Sequence, residues 1–160
     1  MSLVKVSSLL LLLATSCATE KPKRPSVIEW ADSQVFRLPE EAGFQWETLE
    51  LKEGHFRYWF ASDMIVRKPP KYPLEGHYEF KDDQLVLSDG KRYTVREING
   101  SKTLWKPLAV AYWERHQIIH AYGILLPVSE HSPFPSLKPF FTKEQWERSG
   151  EQVKRLERTK

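Results

Sequence analysis

His116 and His120 stand four residues apart in "ERHQIIHAYG". On a helix that spacing puts two imidazoles on one face, where they could hold a divalent metal. The flanking residues argue against it. Ile118, Ile119 and "YGILL" read as strand, so the helix ends near Gln117. No glutamate follows the first histidine as a zinc protease requires, and the nearest carboxylate is Glu114. These two histidines therefore read as structural or surface groups, and no metal site is expected. His55, His77 and His131 are isolated beside turns. A nucleophile is equally hard to find, because no G-x-S-x-G elbow occurs. Ser62-Asp63 and Ser88-Asp89 read as strand ends and turns, where these side chains bond their own backbone. Glu40-Glu41 and Asp82-Asp83 fall in expected loops, where water screens adjacent acids. The seven glycines are mostly turn residues, and none builds a phosphate-cradling loop. Enzyme chemistry and a cofactor are thus not expected. A hydrolase without a recognisable motif would need His116 or His120 within hydrogen-bond reach of a carboxylate and a hydroxyl.

The remaining reactive group is Cys17, the only cysteine of 160 residues, within "SSLLLLLATSCATEKPKRP". Lys5 supplies a positive n-region, and an apolar run ends at Ala14. That run is shorter than the roughly 20 residues that span a bilayer, and small residues follow it, as in a signal peptide. "ATSC" resembles the lipobox of bacterial lipoproteins, with Ala14 where leucine is commonest. The resemblance covers residues 1–17. It implies removal of residues 1–16, a diacylglycerol and usually an N-acyl chain on Cys17, and membrane anchoring through that lipid. Each buried methylene contributes about 0.8 kcal/mol, so several chains together anchor stably. Ala18 stands where an aspartate tends to retain Gram-negative lipoproteins at the inner membrane. The resemblance therefore implies the bacterial cell envelope, at the outer membrane facing the periplasm. Ala14-Thr15-Ser16 also suits ordinary signal peptidase at the same bond, which would leave a secreted protein with a free thiol. Residues 17–26 then read as a lipidated N-terminus and flexible tether, with two prolines and three basic residues. Residues 27–160 read as one domain.

The elements of that domain are set by turn signals. Asp89-Gly90 and Asn99-Gly100 are strong hairpin markers, since type I′ turns need φ > 0 at both central residues. Around them run short alternating segments such as "HFRYWFAS", "GHYEFK" and "KRYTVREI". These predict eight strands, near 34–38, 44–52, 55–62, 74–81, 84–88, 91–98, 101–106 and 118–126. The fold class is mainly β: an antiparallel meander closing into a small lipocalin-like barrel or a strongly curved sheet. The meander resembles the small lipocalin-like domains carried by many bacterial lipoproteins. A short helix is predicted near 108–116, opened by Pro107 and plugging or crossing one end. A C-terminal helix is predicted near 143–158, with Thr142 and Gln145 as a capping box and Phe141 with Trp146 as a staple.

The formal charge of +3 is too mild to argue for nucleic acid. The long connection "SDMIVRKPPKYPLEG" gathers Arg67, Lys68, Lys71 and Tyr72, which form the candidate binding residues. Their partner would be an envelope protein or an anionic envelope polymer. The inward-facing aromatics would largely fill a small barrel. The leading expectation is a lipid-anchored envelope protein with a non-catalytic binding or structural β domain. The alternative is a carrier of a small apolar ligand, in a cavity lined by Phe56, Tyr58, Tyr78 and Tyr93.

Overall fold

The computed structural model describes residues 30–63, 71–129 and 134–159. The signal segment 1–16, the lipidation and tether segment 17–26 with Cys17, and Arg67, Lys68 and His131 lie outside them. Eight strands are present: β1 (Gln34–Arg37), β2 (Gln45–Lys52), β3 (His55–Ser62), β4 (Leu74–Lys81), β5 (Gln84–Leu87), β6 (Arg92–Ile98), β7 (Ser101–Trp105) and β8 (Ile124–Pro127). Each pairs antiparallel with its neighbour in sequence, and β1 pairs with β8 to close the barrel. Closure gives every strand a partner on each side.

Connection length gives the barrel two unlike ends. At one end, β2–β3, β4–β5 and β6–β7 are joined by two-residue turns, as the pairings Lys52↔His55, Lys81↔Gln84 and Ile98↔Ser101 require. Asn99 and Gly100 both have positive φ, as their type I′ reading demands. At the other end, the mouth, lie the connections 38–44, 88–91 and 106–123, with the end of β3 and the start of β4. Asp89-Gly90 belongs to this end and departs from the expected turn. Only Gly90 has positive φ, and Asp89 Oδ1 accepts the Lys91 N–H at 3.1 Å, so the aspartate side chain shapes a longer loop.

Strand alternation sends large apolar side chains inward. Phe36, Leu49, Leu51, Phe56, Tyr58, Leu85, Leu87, Tyr93, Leu104 and Leu125 form one buried cluster that fills the barrel. Gly76 lets this packing close: a Cβ there would sit 2.7 Å from a Phe56 ring carbon and 2.4 Å from Ser88 Oγ. At the mouth, Leu38 and Ala42 join the cluster from the β1–β2 connection. Glu41 ties that connection to the C-terminal segment, accepting from the Ser136 hydroxyl at 2.6 Å and the Leu137 N–H at 3.0 Å.

A second cluster lies on the outer wall. Trp105, Ile124 and Leu126 point away from the interior and are covered by Ala109, Ile119, Leu137 and Phe141. Here the two helices dock: α1 (Pro107–His116) and α2 (Lys143–Glu157). The α1 residue Trp113 packs edge-on against Trp105, and Glu114 pairs with Arg96 at 2.6 Å. This helix therefore lies along the outer wall, which corrects the expectation of a plug across one end. Its apolar residues match the outward-facing Trp105, while the interior is already full. Thr142 and Gln145 of α2 form the reciprocal capping box, and the Phe141 and Trp146 rings meet edge-on at 6.1 Å.

The last strand is the second correction. It was expected over 118–126 but occupies Ile124–Pro127. Ile118 and Ile119 are both buried without forming a strand, Ile119 within the outer-wall cluster, and the Ile119 N–H donates to Ser149 Oγ of α2 at 2.9 Å. Residues Ala121–Gly123 form a 3-10 turn before the strand starts. Among the described residues, no helix is long and apolar enough to cross a membrane.

Candidate functional site

One acidic side chain breaks the apolar interior. In β2, Glu47 shares its inward face with Leu49 and Leu51, and it is only 2% exposed. A buried carboxylate is costly unless it is paired and hydrogen-bonded. Both conditions are met near the mouth. The Lys106 ammonium, one residue past β7, bonds Glu47 Oε2. The Tyr93 hydroxyl of β6 donates to Glu47 Oε1 at 3.2 Å. Lys106 also donates to the Tyr122 carbonyl at 3.2 Å. Three elements distant in sequence thus converge on one carboxylate.

The surrounding phenols are tuned by the same environment. Burial pushes Tyr93 well above the ordinary phenol range, and the Glu47 charge pushes further. Tyr58 of β3 is raised for the same two reasons in the same order. Both remain protonated donors, with Tyr93 aimed at Glu47. The Lys91 ammonium lies 4.4 Å from the Tyr58 ring centroid and pairs with Asp89.

Above this cluster is an open cavity of about 390 Å³, walled by Glu47, Tyr58, Lys91, Arg92, Tyr93 and Lys106, with Gly90 and Pro107 completing it. Glu47 also reaches a second cavity of about 450 Å³ between the β1–β2 connection and Phe134-Pro135. The exposed aromatics Phe44 and Trp46 flank that side.

Of the candidate binding residues, Arg67 and Lys68 lie outside the described residues. Tyr72 packs against the interior cluster, its ring centroid 6.3 Å from that of Tyr58, so it sits beside the mouth site. Lys71 is exposed next to it. Of the residues expected to line an apolar ligand cavity, Phe56 is packed in the core, Tyr58 and Tyr93 belong to the core and also wall the mouth cavity, and Tyr78 is half-buried against the core. Glu47 and Lys106 were missed as site residues. The signal for Glu47 is legible in "QWETLELK", where a glutamate occupies the inward period of two leucines. Lys106 had no comparable signal, because its partner is 59 residues away.

His55 and His77, expected to be isolated, pair across β3 and β4 with ring centroids 4.4 Å apart. His120 stacks on Tyr112, with centroids 5.1 Å apart and planes 12° from parallel, and Tyr112 also neighbours His116 at 6.4 Å. Burial holds His120 below the ordinary imidazole range, and the Lys106 charge adds to this. Its Nδ1 meets no hydrogen-bond partner. Among the described residues, no group of three histidine, cysteine or acidic side chains could hold a metal ion. The chain is a small closed β-barrel without an obvious catalytic constellation among the described residues. Comparison with protein-family models, with curated proteins and with solved structures gave no match.

Proposed function

We propose that this chain is a non-catalytic binding protein of the bacterial envelope, held to the membrane by lipid on Cys17 and binding its ligand at the barrel mouth. The observation that carries the binding half is the contrast between a packed interior and an open, charged cavity above Glu47. A filled barrel supports recognition at its rim better than carriage of an apolar molecule inside it, the reading this one displaces. "ATSC" supports the anchoring half. The outer membrane, facing the periplasm, is its proposed place, on the strength of Ala18.

Both halves are tested on full-length protein made in a bacterial host. With radiolabelled palmitate, wild type should carry label and sediment with membranes, whereas Cys17→Ser should carry none and appear in the soluble fraction. Unchanged membrane retention of Cys17→Ser would sink the anchor. Native mass spectra of the membrane-extracted protein should show a non-covalently bound small molecule. A bare lipoprotein mass under the gentlest conditions would count against the binding role.

A further inference from the structure

We infer that the mouth cavity takes a small organic anion with a flat apolar body. The inference rests on the binding role proposed above and names the class of ligand. Three cations, Lys91, Arg92 and Lys106, meet one carboxylate, Glu47, around a space of about 390 Å³. Two of the cations are matched internally, Lys106 by Glu47 and Lys91 by Asp89. Arg92 is exposed at the start of β6, and no described side chain satisfies its guanidinium. Among the described residues the site therefore carries one unmatched positive charge, on the side chain best suited to clasp a carboxylate, phosphate or sulfonate.

Lys106 adds a donor. An ammonium has three N–H groups, and here two are taken, by Glu47 and by the Tyr122 carbonyl. The third is available to a ligand oxygen. A cationic ligand fits poorly, since the one buried carboxylate is already engaged by Lys106 and Tyr93. Helix α1 starts at the wall, at Pro107, with no acidic residue in its first turn, so its positive end adds to the same bias.

The body of the ligand is set by size and by the aromatic wall. The cavity is at the small end of the range for ligand pockets, which suits a single small molecule. Tyr58, with Tyr72 behind it, supplies apolar ring surface beside the cations.

The test uses lipidated full-length protein in discs of uncharged lipid, with empty discs as reference, and titration calorimetry with three probes. Naphthalene-2-sulfonate carries charge and body, 2-naphthol the body without the charge, and methanesulfonate the charge without the body. Only the first should bind measurably, and more weakly as salt rises. Arg92→Gln should weaken it about fivefold or more, with Lys91→Gln acting in the same direction. Arg92 is exposed and Lys91 half-buried, and an unchanged circular dichroism spectrum should accompany the loss in each variant. Equal binding of 2-naphthol, or unchanged affinity in both variants, would overturn the anion assignment while leaving a binding mouth. Failure of naphthalene-2-sulfonate to bind would overturn it too, while the co-purified ligand in native spectra judges the broader binding role separately.

Discussion

Replacing Lys106 with methionine should destabilise the protein by roughly 3 kcal/mol, read from the urea midpoint at unchanged m-value. The cause is the carboxylate left behind. Glu47 is 2% exposed and shares its strand face with Leu49 and Leu51, so without Lys106 its remaining neighbours are the neutral hydroxyls of Tyr93 and Tyr58. Removing one member of a buried pair leaves an uncompensated charge at a cost of about 3–5 kcal/mol. The low end applies because the Lys106 side chain keeps 31% of its exposure and water reaches the pair. The double variant Glu47→Leu/Lys106→Met should recover most of the loss, since two apolar groups replace the pair and no charge is stranded. A double variant no more stable than Lys106→Met alone would mean that the pair does not act as a unit.

Trp105→Ala should cost about 3–5 kcal/mol, the range for emptying a buried aromatic site. Trp105 is the keystone of the outer wall, contacting Trp113 of α1 and Phe141 ahead of α2 edge-on at 6.1 and 6.2 Å. Its indole N–H donates to Thr103 Oγ1 at 2.9 Å, and Arg96 stacks over the ring. The barrel interior does not touch this side of β7, because Leu104 turns inward and Trp105 outward. Hydrogen exchange should therefore accelerate most in α1 and α2, ahead of the strand amides. Phe80→Ala is the control: that ring is 56% exposed on β4 and should cost far less. Equal costs for the two substitutions would contradict the role given to the outer wall.

Most of the barrel was legible because its cues are local. Period-two alternation and two-residue turns located seven strands to within a residue or two, and the capping box located the start of α2. The misses are all tertiary. Ile118 and Ile119 have strand-like residue types, yet Ser149 of α2 captures the Ile119 N–H, and β8 begins five residues later. The place of α1 was hidden because a short apolar helix suits a barrel end and an outer wall alike. Only the outward turn of Trp105 decides between them. The site was less legible than the fold. Tyr72 was singled out for its unusually long loop, and its ring packs beside Tyr58. Glu47 left a visible irregularity in an alternating strand, but Lys106 and Tyr93 gain their meaning only when β2, β6 and the end of β7 meet across the barrel.

The central claim is that ligand is bound at the mouth of a filled barrel, and side-chain NMR tests it most directly. Full-length protein in discs of uncharged lipid, labelled at leucine methyl and tyrosine ring carbons, would be titrated with naphthalene-2-sulfonate. The Tyr58 and Tyr93 ring signals should move together and saturate, while the methyls of Leu85, Leu104 and Leu125 stay in place. Movement of those interior methyls with still tyrosine rings would put the ligand inside the barrel and contradict that claim, and a spectrum that does not move at all would overturn the anion assignment.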